Sequence, residues 1–184
     1  MYPVSDGFLR AVKSNTRKYF WTGTIVTKGG MTYEFGTKEI VKGSGYITRQ
    51  CCGSTEIELG TVYAAEMGIT LLSDIDRYTL EDAQVTLVFH LVLADGSVED
   101  VPMGIFEVSE ANRLAKCLEL KAYDFMLRFD RSFNGFETVG TVYDFIALCC
   151  KMCRVELAHK RAEIDAMPNG GVTLSVYTEN DIET

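Results

Sequence analysis

The feature that most constrains this chain is the stretch Gln84–Ala94, in which one alternating set of side chains is apolar and the other largely so. Val85, Leu87, Phe89, Leu91 and Leu93 form one set, and Thr86, Val88, His90, Val92 and Ala94 the other. Period-two alternation of β-branched and aromatic residues predicts a strand, because successive side chains leave opposite faces. A strand apolar on both faces is normally covered on both, here by a core and by another layer or subunit. Asp95-Gly96 follows directly and marks a hairpin. The returning arm, Val98–Val108, carries Pro102, which cannot donate to a ladder and so marks an edge or a bulge.

The residues before this hairpin also read as short strands. Ser5 is placed to cap a helix reaching about Ser14, with Phe8, Leu9 and Val12 on its apolar side. Tyr19–Thr27 and Met31–Phe35 flank Gly29-Gly30 as a second hairpin. Tyr46–Cys52, Thr55–Leu59 and Ala64–Leu72 follow, the last interrupted by Gly68, where a bulge or bend is expected. Leu118–Tyr123 alternates cleanly again. Some eight short strands with turn signals between them fit a barrel or a sandwich, not a parallel sheet.

Near Phe133 the period becomes helical. Thr141 and Asp144 form a capping box, and behind it Val142, Phe145, Ile146, Cys149, Cys150 and Cys153 make an apolar stripe. A second helix spans about Lys160–Met167 and stops at Pro168-Asn-Gly-Gly; Val172–Val176 then alternates as a strand. The class is α+β, with a β domain over 1–132 and the start of an α/β domain over 133–184. The closing Thr178–Thr184 is a capping signal with no helix behind it, which reads as a chain cut from a longer polypeptide.

Composition excludes whole classes. Of 184 residues, 47% are hydrophobic and 24% charged, which is neither disordered nor repetitive. No apolar run approaches the roughly 20 residues of a membrane helix, and Met1–Val12 lacks a signal peptide's basic start and apolar centre. A net charge of −8 argues against nucleic acid as partner, so Trp21 with Tyr19 and Phe20 is expected in a core or subunit contact.

Chemistry is sparse. The six cysteines are expected to be reduced, and the adjacent pairs Cys51–Cys52 and Cys149–Cys150 are poor staples. Cys150-Lys-Met-Cys153 with His159 supplies only half of a zinc site, so the cysteines are expected to fill the apolar side of a helix. His90 is expected to be packed and hydrogen-bonded in mid-strand and His159 to lie in a loop, with no third group in view to orient either as a base. Glu56/Glu58, Asp74/Asp76, Glu81/Asp82 and Glu99/Asp100 read as solvated surface, and Asp74-Ile-Asp76 lacks the rest of a calcium loop. There is no phosphate cradle, dinucleotide fingerprint, nucleophile elbow or zinc-protease motif. No catalytic, cofactor-binding or metal residue is assigned, and no enzyme is expected.

Stretch by stretch, the chain resembles tail proteins of siphophages and prophages of Gram-positive bacteria. The resemblance is carried by the opening Met1-Tyr-Pro-Val-Ser-Asp-Gly-Phe-Leu-Arg-Ala-Val with Arg17, by Ile57–Ile69, Val101-Pro-Met-Gly-Ile-Phe106 and Leu118–Asp124, and by Asn169-Gly and Tyr177–Thr184. It implies the N-terminal region of a tail-tip, or baseplate, hub: an antiparallel β-barrel of tail-hub type followed by a small α/β segment. It further implies a virion structural protein, trimeric at full length, with itself and other tail proteins as partners. Such a protein is assembled in the host cytoplasm without cofactors and joins the tail tube to distal modules. A receptor- or carbohydrate-binding tail module is the alternative, and a Cys/His-based enzyme or zinc protein a more remote one.

Overall fold

The computed structural model of the chain describes residues 2–50, 63–131 and 138–176. The expected strand Thr55–Leu59, the change of period at Phe133, Cys51, Cys52 and the closing Thr178–Thr184 lie outside the described residues. The chain divides into two compact units, Met1–Leu127 and Arg128–Thr184.

The first unit opens with helix α1 (Asp6–Val12), capped by Ser5, whose Oγ accepts from the Phe8 amide at 3.0 Å. Strands β1 (Lys18–Val26), β2 (Thr32–Phe35), β3 (Tyr46–Thr48), β4 (Glu66–Leu72), β5 (Gln84–Val92), β6 (Val98–Leu114) and β7 (Cys117–Asp124) follow. They make one seven-stranded sheet in the order β2-β1-β5-β6-β7-β4-β3, with every ladder antiparallel.

β6 organises this sheet. It runs for 17 residues, where the sequence predicts an arm ending at Val108. Its first half pairs with β5 and its second with β7; only Phe106 and Glu107 pair with both. One register shift lies opposite Leu87/Val88, where Met103 is the extra residue between Pro102 and Gly104, and Gly104 takes φ +122°. A second lies between Val108 and Glu110. Pro102 therefore sits at a bulge, in the stretch of β6 that has β5 alone for a partner, so its missing N–H breaks no second ladder.

The two half-sheets share one core. Ile25, Phe35, Val85 and Leu87 come from the first half, and Met67, Ile69, Leu71, Leu118 and Leu120 from the second. Phe106, at the overlap, is 1% exposed. Leu80, from the short 3-10 turn Arg77–Leu80, is completely buried beside them. The expected closed barrel is corrected: among the described residues the sheet starts at β2 and ends at β3, and these two are not paired with each other. β2 reaches only Gly23–Val26 of β1, and β3 has three residues, so neither is long enough to complete the ring of ladders.

Gly68 is also corrected. β4 runs through it without a shift of register, opposite Tyr46. A β-carbon there would collide with the Tyr46 ring. The glycine makes room for a neighbouring aromatic and does not bend the strand.

In the second unit, β8 (Thr138–Thr141) pairs with β9 (Thr173–Val176), and α2 (Val142–Cys153) and α3 (Arg161–Asp165) lie between them in sequence. The capping box forms as expected: Asp144 accepts from the Thr141 amide at 2.8 Å and from its hydroxyl at 2.9 Å. Arg161 adds an ion pair to Asp144 and lies over the Tyr143 ring at 4.4 Å. Together these hold the Asp144 carboxyl down at about 2, the Arg161 hydrogen bond contributing most.

Candidate functional site

Two places on the β unit concentrate chemistry. The first is the outer face of β1, β5 and β6. Cross-strand register sets His90 between Phe20 on β1 and Asp100 on β6. Its ring stacks on Phe20 at 4.5 Å and 9°. Nδ1 lies 2.6 Å from Asp100 Oδ1 and Nε2 lies 2.7 Å from Thr22 Oγ1. His90 is thus packed and hydrogen-bonded, as expected, but the third group that sequence reasoning did not find is present. A two-residue turn at Asp95-Gly96 would set residue 90 opposite 101; the loop instead spans Ala94-Asp95-Gly96, closed by the Leu93 amide donating to the Ser97 carbonyl at 2.8 Å, and this sets 90 opposite 100. With both ring nitrogens engaged, the imidazole ties three strands together on this face.

Around it the outer row stays open. Phe20, Val88 and Val92 are half-buried, while Val98 and Ile105 are 48% and 45% exposed. The inner row is the covered one. Its far end carries Phe89, met edge-on by Phe8 of α1 at 6.3 Å and by Trp21 at 5.0 Å, and next to it Leu91 is fully buried. The second layer expected over the doubly apolar strand is therefore α1 at one end of the inner face. Within this unit, no element among the described residues covers the outer face.

The second place is the seam where the sheet fails to close. Residues Lys18–Thr22 of β1 pair with β5 on one side, and β2 begins only opposite Gly23. β3 pairs with β4 on one side and, among the described residues, with no strand on the other. Both edges line a cavity of about 590 Å3, within the range of small-molecule pockets. Trp21, Ile40 and Ile47 line it and Ile69 and Leu87 reach it from the core, while Arg17, Lys18 and Lys42 are cations at its margin. Among the described residues none of these cations has an ion-pair partner, and no acidic residue lines the cavity. The net charge of −8 hides this local basic margin.

Tyr46, which lines the same cavity, is fixed from outside. Its hydroxyl donates to Glu66 Oε1 at 2.7 Å, and Lys121 reaches Glu66 Oε2 at 3.2 Å. The Tyr46 bond, ahead of Lys121, draws the Glu66 carboxyl below its ordinary value, and Glu66 in turn raises the Tyr46 phenol.

The cysteines lie where a helix stripe puts them. Cys150 and Cys153 are buried and Cys149 half-buried, and burial pushes the Cys150 thiol up. His159 lies between α2 and α3, with Nδ1 3.3 Å from Glu163 Oε2. Among the described residues no group of three or more His, Cys, Asp or Glu is placed to hold a metal ion.

No protein-family model and no curated protein matches the chain. Among solved structures it is similar to a chain in the virion of a native gene transfer agent particle, at 12% identity and a TM-score of 0.47. The match covers 72% of this chain and 49% of that one, so the chain spans about half the length of the structure it resembles.

Proposed function

We propose that the chain is a non-enzymatic structural subunit of a phage or prophage tail tip, the N-terminal region of a hub that joins the tail tube to distal host-contact modules. The observation that supports this most directly is the open outer row of β5 and its neighbours. A central strand apolar on both faces, with Val98 and Ile105 nearly half exposed beside it, suits a protein completed by its neighbours. The end-to-end resemblance of the sequence to tail proteins of Gram-positive hosts names the kind of neighbour: two further copies in a trimeric ring, and the tail proteins above and below it. In this reading 1–132 is the hub-type β domain and 133–184 the start of an α/β domain. Assembly takes place in the host cytoplasm, the product resides in the virion tail, and no cofactor takes part.

Imaging of the full-length protein tests the proposal. The expected result is a threefold ring with a central channel. A monomer at concentrations well above micromolar, or hydrolytic activity that is lost with His90→Ala, overturns it.

A further inference from the structure

We propose that the seam between β1 and β3 receives an extended segment of a partner protein, in which acidic residues alternate with apolar ones, as an added strand. Among the described residues two strand edges open onto one cavity, and an unpaired edge presents N–H and C=O groups that a further strand satisfies. The free part of β1, Lys18–Thr22, sets the length at about five residues, or roughly 17 Å of extended chain.

The alternation follows from the register. Tyr19 and Trp21 pair with Leu91 and Phe89 on the inner face, and Ile47 pairs with the core residue Met67. Side chains that an added strand turns inward therefore enter a space bounded by Trp21, Ile40 and Ile47, above Ile69 and Leu87. Burying apolar groups there is favourable, whereas a charge would be stranded without water or a partner. Side chains turned outward stand beside Lys18, with Arg17 and Lys42 at the same margin. Opposite charges at cross-strand neighbours stabilise the pairing and like charges oppose it. Unpaired cations beside aromatics also suit single-stranded nucleic acid, but two open strand edges favour a polypeptide.

The inference does not depend on the ring, and the experiment keeps the two apart because imaging the ring needs no peptide. Trp21 is the only tryptophan, so its emission reports on the cavity directly. The probe is a blocked eight-residue peptide alternating Glu and Val, titrated into the full chain. The expected result is a saturable blue shift of Trp21 that weakens about tenfold or more on raising salt from 0.05 to 0.5 M. Lys18→Glu with Lys42→Glu removes the binding while the circular dichroism spectrum stays unchanged; both side chains are exposed. A peptide N-methylated at alternate amides does not bind, because it cannot complete the ladder. Any of four outcomes overturns the proposal: no saturable change, equal binding by a Lys/Val peptide, binding retained by the N-methylated peptide, or tighter binding of oligo-dT.

Discussion

The ring of Tyr46 fills the space that a β-carbon on Gly68 would need, directly across the β3–β4 ladder. Gly68→Ala, which strand propensity alone favours, is therefore expected to destabilise the protein by about 1–3 kcal/mol, the usual cost of overpacking. Thermal melts of Gly68→Ala, Tyr46→Ala and the double variant measure it. The double variant should recover most of the Gly68→Ala loss, since removing the ring removes the clash.

Phe106 pairs with Val85 on one side and Asp124 on the other, and is nearly fully buried where the two half-sheets meet. Phe106→Ala should cost about 3–5 kcal/mol in chemical denaturation. A loss below about 1 kcal/mol would mean that the halves hold together without it.

His90→Phe keeps a ring over Phe20 but leaves Thr22 and Asp100 without their shared partner. The expected loss is about 1 kcal/mol, the net worth of a hydrogen bond or two to half-exposed groups. Thr22→Val, tested in the His90→Phe background, should cost less than in the parent. Equal costs would show that the two side chains are not coupled.

The Asp144 carboxyl is held at about 2 in the folded protein, against an ordinary 3.8. A depressed folded value means that its contribution is present above the unfolded value and is lost as pH falls through the folded one. Protection factors of α2 amides, with the intrinsic pH dependence of exchange divided out, should therefore fall between about pH 4 and pH 2. Asp144→Asn should exchange faster at neutral pH and lose that pH dependence.

Cys150 is buried with its thiol raised by desolvation, whereas its neighbour Cys149 is half-buried. Timed alkylation read by peptide mass spectrometry should modify Cys149 well before Cys150 and Cys153, because the thiolate is the reacting form. Bound zinc in stoichiometric amount would contradict this reading of the helix.

What could be read from the sequence was whatever two local signals specified together. β5 has both clean alternation and a glycine turn behind it, and α2 has both a stripe and a capping box; both form where expected. β6 was hidden beyond Val108 because its two halves belong to different ladders, and because the turn that ends it, Ala115-Lys116, has no glycine or asparagine. Ala115 adopts φ +54° there, a conformation that the sequence does not announce. The Thr22–His90–Asp100 link and the seam were hidden for a different reason. Each joins residues far apart in the chain, so only the register of the finished sheet brings them together.

That register also orders events in time. β5, β6 and β7 follow one another through short turns, whereas β1 must find β5 and β4 must find β7 across much longer spans of chain. Loop closure is cheapest for the consecutive three, so they are the natural nucleus, with the flanking strands condensing on either side. Substitutions in β6 should then slow refolding, and those in β1 or β4 should chiefly hasten unfolding. The strand that joins the two half-sheets in space is the one on which the rest of the unit waits.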